Sequence, residues 1–373
     1  MIEAVTGFVG PLLLGVIATM LVEAATGRTL GVLVRQRFRR RARRRLERLG
    51  THGDLIRRAD ECLYTIEFVP DGWRHDDLQV KHRPRELSRA LTRADPRHLP
   101  TSASGLLAKI EAERERLAGP DADGWNGDSL GVEAIRMSRV GTEERPNLVL
   151  TLVPSDFAAA QVCSALWQER FDADGTEPPA GLDLDRPVPG MVHAVGLNAT
   201  VVTDDDQLIL VRRSSRASSG RSGWHISVNE GMQDRDRDAR NALDPHLGLV
   251  RGVAEELGVD IDTENVRFHT AMWDLRRYQF GLLGHVDLEG SGITAADIVL
   301  ARRHGLAQDK FENSRLVVIP WTLDSVAKVL AEDDWVAHGW LNLVHSAIST
   351  FGARAEQMYE LLGQEAPRRR SRR

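Results

Sequence analysis

The apolar positions of this chain change rhythm several times along its 373 residues. Ala4 to Val22 is uncharged and long enough to cross a bilayer as a helix. Asp54 to Glu67, Arg85 to Ala94 and Ala103 to Leu117 carry helical spacing. Ser129 to Val140 alternates like a strand, and Asn147 to Val153 does so more firmly. Pro154-Ser155-Asp156 then starts a helix over Phe157 to Phe171. Thr176 to Pro189, rich in Gly, Pro and Asp, reads as a linker. Beyond it His193 to Thr203 and Gln207 to Arg213 predict two strands joined at Asp204-Asp205-Asp206, and Gly223 to Gly231 predicts a third. Leu247, Val250, Val253, Ala254 and Leu257 recur at helical spacing, with Asp244 as cap, Pro245 at the first position and Gly258 as the stop. Asn265 to Arg276, Tyr278 to Asp287 and Arg315 to Pro320 follow as strands, and Leu323 to Leu330 and Trp335 to Gln357 as helices.

Composition changes this picture at the ends. The net charge of -5 hides arginine concentrated in Arg35 to Arg48 and in Arg368 to Arg373. An arginine run just after an apolar span stays on the cytoplasmic side, so the expected arrangement is a single-pass membrane protein with its N-terminus outside. A cleaved signal peptide fits less well, because no basic residue precedes the apolar run. The arginine run would also meet anionic lipid head groups; a merely solvated flank explains it equally. No specific nucleic-acid partner is expected so close to a membrane. Cys62 and Cys163 lie far apart without metal-like spacing, which points to reduced core residues.

The candidate chemistry sits on the capped helix. Arg251 and Glu255 are four apart and share a face, while Glu256 lies about a hundred degrees further round. Paired carboxylates near the negative end of a helix are unfavourable, and a hard divalent cation would relieve them. Arg212 and Arg213 end their strand on opposite faces. The loop Ser214 to Gly223, with Arg221, would wrap a phosphate, although a plain connector is the simpler account. Trp224 and His225 read as structural.

Arg251-Gly252-Val253-Ala254-Glu255-Glu256-Leu257-Gly258-Val259 resembles the second half of the Nudix box, and Gly231 resembles its opening glycine. The resemblance covers roughly residues 190 to 320. It departs at Gln233 to Leu243, which looks like an insertion with Asp236 and Asp238 as candidate counterparts of an upstream glutamate, and at Gly252, where the family has a glutamate. The resemblance implies an α+β fold in which a mixed β-sheet is sandwiched between helices. It implies pyrophosphohydrolysis of a nucleoside diphosphate-linked compound with magnesium, or manganese in its place. Glu255, Glu256, the Gly231 carbonyl and a late acid would then be the ligands, with Glu312 or Asp309 as that acid. Arg251 would orient the carboxylates; Arg212, Arg213 and Arg221 are the substrate-binding candidates, with at most one of Arg212 and Arg213 able to face a given pocket.

The expected organisation is an anchor at 1–26, an arginine-rich segment at 27–50, an accessory α+β region at 51–180, a Nudix-like part at 190–320, helices at 321–363 and a basic tail at 364–373. Two other functions stay open: a non-catalytic nucleotide-binding module at the membrane, which Gly252 favours, and a tethered scaffold. The sequence assigns neither the substrate nor the oligomeric state.

Overall fold

The structure is a computed structural model. It describes residues 55–58, 61–119, 126–142, 144–173, 184, 186–214, 222–308 and 313–355. The apolar run, the arginine run, Arg221, Asp309, Glu312 and the basic tail lie outside the described residues. Among the described residues no helix is long and apolar enough to cross a membrane. These residues belong to one compact unit.

The strands are β1 (Leu55–Arg58), β2 (Glu61–Phe68), β3 (Leu78–His82), β4 (Asp128–Val140), β5 (Arg145–Asp156), β6 (Val195–Val202), β7 (Gln207–Arg213), β8 (Trp224–Ile226), β9 (Val228–Gly231), β10 (Val266–Asp274), β11 (Gln279–Asp287) and β12 (Asn313–Pro320). The helices are α1 (Leu87–Leu91), α2 (Ala103–Ala118), α3 (Phe157–Ala173), α4 (Pro245–Leu257), α5 (Ala295–Arg303), α6 (Leu323–Leu330) and α7 (Ala337–Phe351). Nine strands form one mixed sheet in the order β1-β2-β10-β11-β6-β7-β12, with β8 on β7 and β9 on β6. Only β11 and β6 run parallel in it. A second sheet, β3-β5-β4, has β3 parallel and β4 antiparallel to β5.

Strand alternation divides the interior into two cores. Ile209, Ala271 and Trp273 point toward α4, where Leu249, Val253 and Leu257 meet them. Leu208, Leu210 and Met272 point the other way, onto Val326 of α6 and Leu341 and Val344 of α7. The large sheet is therefore sandwiched between helices. The small sheet carries α3 on β4 and β5, with α2 packed on α3. It joins the first core: the indole Nε1 of Trp167 donates to the Leu275 carbonyl at 3.0 Å, and its ring stacks on Tyr278 at 4.0 Å.

One expected element is corrected. The described residues between Asp54 and Glu67 are not helical; they give β1 and β2, and β2 lies between β1 and β10. Cys62 packs into one core and its neighbour Leu63 into the other. A strand buried on both faces loses its alternation, and its close-spaced apolar residues then imitate a helical stripe. The expected strand Gly223 to Gly231 is split at Ser227, whose hydroxyl accepts from the Val201 amide at 2.8 Å and donates to the Ile209 carbonyl. That break lets β8 follow β7 while β9 crosses to β6 and lies under α4.

Candidate functional site

Helix α4 begins and ends where its sequence dictates. Asp244 accepts from the His246 amide at 2.9 Å, Pro245 needs no partner, and Gly258 closes the helix with a positive φ of 78°. The helix approaches the sheet closely along Gly248 and Gly252. A Cβ on Gly252 would lie 2.9 Å from Glu230 Cβ and 3.0 Å from Val228 Cγ1. Val228 and Glu230 are two apart on β9 and so face the helix together. The face that would carry a glutamate at position 252 is closed by strand side chains.

Arg251 is the hub of the site. Its Nε and Nη2 donate to the two carboxylate oxygens of Asp236 at 2.8 and 3.1 Å. Nη1 reaches Glu255 at 3.0 Å and Glu230 at 3.2 Å, and Nη2 donates to the Gly231 carbonyl at 2.7 Å. Burial weakens the guanidinium's hold on its proton, but Asp236, Glu230 and Glu255 outweigh it and raise its pKa. Burial raises the Glu230 carboxyl above the ordinary range, with Arg251 opposing. Glu255 also holds Arg235, at 2.9 Å.

Glu256 points elsewhere. It is 5% exposed, and its Oε1 accepts from the Asn229 amide at 2.7 Å while its Oε2 accepts from Asn313 Nδ2 at 3.0 Å. Asn313 is paired with Arg213 across β12 and β7, and its carbonyl accepts from Arg302 of α5 at 2.6 Å. Glu256 thus ties helix α4 to β9 and β12. Leaving those donors unmade would cost about 1–3 kcal/mol each.

The structure brings Arg251, Glu255 and Gly231 together as expected and sends Glu256 to a separate buried niche. Arg212 and Arg213 do take opposite faces. Arg212 donates to the Ser222 carbonyl at 3.0 Å and lies 4.4 Å over the Trp224 ring, whereas Arg213 is buried. Glu230 and Asn313 were not singled out by sequence reasoning. The period-two pairing of Glu230 with Val228 is the signal for the first; Asn313 has none, because its partner comes from the fold.

Hard cations need several free oxygen donors. Here the Gly231 carbonyl serves Arg251, Glu255 serves two arginines, Glu256 serves an amide and a carboxamide, and Gly252 offers no side chain. Among the described residues, this arrangement presents no open set of oxygens for a magnesium ion.

No family profile and no curated protein matches the chain. Solved structures similar to it are of the MutT/Nudix kind. They include a MutT protein from Methanosarcina mazei Go1, at 14% identity and a TM-score of 0.29, covering 42% of this chain and 94% of that one. A MutT NUDIX hydrolase from Burkholderia pseudomallei is 17% identical with a TM-score of 0.24, covering 40% of this chain and 95% of that one. A MutT/nudix family protein from Enterococcus faecalis is 14% identical with a TM-score of 0.25, covering 34% of this chain and 43% of that one. Identities and scores this low transfer no residue's role, so each side chain is judged by its own contacts.

A cleft of about 490 Å³ opens on the small sheet. Lys81, Arg83, Arg136 and Arg186 line it together with Val149 and Thr151. Arg83 is also paired with Glu133 at 3.2 Å. Four cations around a cleft of ligand size make a place for a polyanion.

Proposed function

We propose that this chain is a membrane-anchored Nudix-like module that binds a nucleotide-type anion without hydrolysing it, its described part lying on the cytoplasmic side. The observation that carries this reading is the Glu256 carboxylate, whose two oxygens are both used inside the fold beside a position 252 with no room for a side chain. The cleft at Lys81, Arg83, Arg136 and Arg186 supports an anionic ligand, since arginine and lysine hold phosphate oxygens through charge-assisted hydrogen bonds. The apolar and arginine runs of the N-terminus support the membrane as its place of work.

Hydrolysis is the second reading, and one observation favours it. The Glu230 side chain fills the space beside Gly252, and its carboxyl is shifted up by burial, as suits a general base.

The full-length protein, incubated with magnesium and a panel of nucleoside diphosphate compounds, separates the two. The binding reading expects no nucleotide or phosphate release, and saturable binding of fluorescent adenosine diphosphate that Arg136→Glu weakens at least about tenfold. Turnover that Glu230→Gln or Glu256→Gln abolishes would establish the hydrolase instead.

A further inference from the structure

We infer that His75, Asp244 and His246 form a binding site for a zinc-class transition-metal ion at the start of helix α4. His75 Nε2 lies 3.0 Å from Asp244 Oδ2, and His246 Nδ1 lies 2.9 Å from Asp244 Oδ1. The three ligand atoms all fall within 4.8 Å of one another. Imidazole nitrogen and carboxylate oxygen bind zinc at about 2.0–2.2 Å, so the ligands of a tetrahedral ion stand roughly 3.3 Å apart. The two separations from Asp244 need to open by only a few tenths of an ångström, and the two ring nitrogens lie within 4.8 Å of each other. Two nitrogens and one carboxylate oxygen suit zinc, cobalt or nickel and not magnesium.

The site is built before any ion arrives. The His246 ring is buried between His75, stacked at 4.5 Å, and the edge of Phe268 at 5.1 Å. Asp244 is fixed as the helix cap, and its own amide donates to the Asp236 carbonyl at 2.9 Å. His75 stands on the short 3-10 turn His75–Asp77 and is largely exposed, which leaves a fourth coordination position open to water. Two imidazoles that share one carboxylate would persist without metal as ordinary hydrogen bonds. What points to an ion is that two imidazoles from segments far apart in the sequence each present a nitrogen to the same carboxylate. The positive end of the helix opposes a cation, and the Asp244 carboxylate offsets it.

Bound there, the ion clips the N-terminal part of the described chain to helix α4. The site shares no ligand atom with the Arg251 cluster or the basic cleft, although the Asp244 amide donates to Asp236.

The test uses the full-length, untagged protein, stripped with a chelator and titrated with zinc against a chromophoric competitor. Stoichiometric binding of one zinc per chain is expected, together with a rise in the thermal midpoint on zinc addition. His75→Ala should weaken zinc binding at least about tenfold and remove the zinc-induced rise, whatever small change the lost Asp244 and His246 contacts make to the metal-free midpoint. Cys62 and Cys163 are both buried and do not compete. Absence of stoichiometric binding, or equal zinc affinity in His75→Ala, would overturn the site.

Discussion

Acidified from about pH 7 to about pH 5, the protein is expected to lose most of its stability. Its interior holds histidines that burial keeps neutral. His193 is pushed down to about 4, with its Nδ1 at 2.7 Å from Ser155 Oγ and its Nε2 at 2.6 Å from the Gly190 carbonyl. His345 is pushed down to about 3 by burial and shares Thr270 with His269. His269 and His225 lie well below the ordinary value, burial first and then a neighbouring ring, His345 for one and His338 for the other.

A histidine whose folded pKa is depressed leaves stability intact above its unfolded pKa near 6.5. That stability is lost as pH falls from there toward the folded value, because only the unfolded chain takes up the proton. Each independent site removes about 1.4 kcal/mol per pH unit in this window. Three separate sites, His193, the His225 pair and the His269 pair, lose stability together as pH falls through this window. Glu61 and Glu230, raised by burial, act in the opposite sense. A loss of a few kcal/mol is a large part of a typical domain's 5–15 kcal/mol. Urea unfolding across this range checks it, and a free energy that stays flat between the two pH values contradicts it.

The second large effect is expected from Arg251→Met. Arg251 holds Asp236 through both carboxylate oxygens, and Asp236 is 3% exposed. Removing the cation leaves Asp236 and Glu230 buried without it, and breaking a buried pair in this way costs about 3–5 kcal/mol. For a chain of this size that lowers the thermal midpoint by roughly 5 °C. The double variant Arg251→Met with Asp236→Leu should recover part of the loss, since it leaves no buried charge on the strongest partner. A shift of only about a degree in the single variant would show the cluster to be surface-like.

Much of the fold could be read from the sequence, because its punctuation is local. Asp244, Pro245 and Gly258 bound α4 as expected. The strand Gln207 to Arg213 and the helix Leu323 to Leu330 match β7 and α6 end to end. The β1–β2 hairpin was illegible because a strand covered on both faces shows no alternation. Helix α5 was missed although Thr294 and Asp297 form a capping box there. The site was legible only in part. Four-residue spacing predicted the Arg251–Glu255 pair, observed at 3.0 Å. No spacing rule announces that Glu256 meets Asn229 and Asn313, since those partners arrive through β9 and β12 from either side of the helix. Nor does the sequence show that Gly252 is glycine for want of room. That fact appears only once β9 is seen under the helix.

The central claim, that α4 presents a closed structural face where a catalytic one would be, is tested most directly at that glycine. Gly252→Glu would be measured for thermal stability and for magnesium-dependent release of nucleotide. The closed face predicts a loss of about 1–3 kcal/mol from overpacking against Val228 and Glu230, with no turnover gained. Unchanged stability together with new hydrolysis would show instead that the face is open and wanted only its carboxylate.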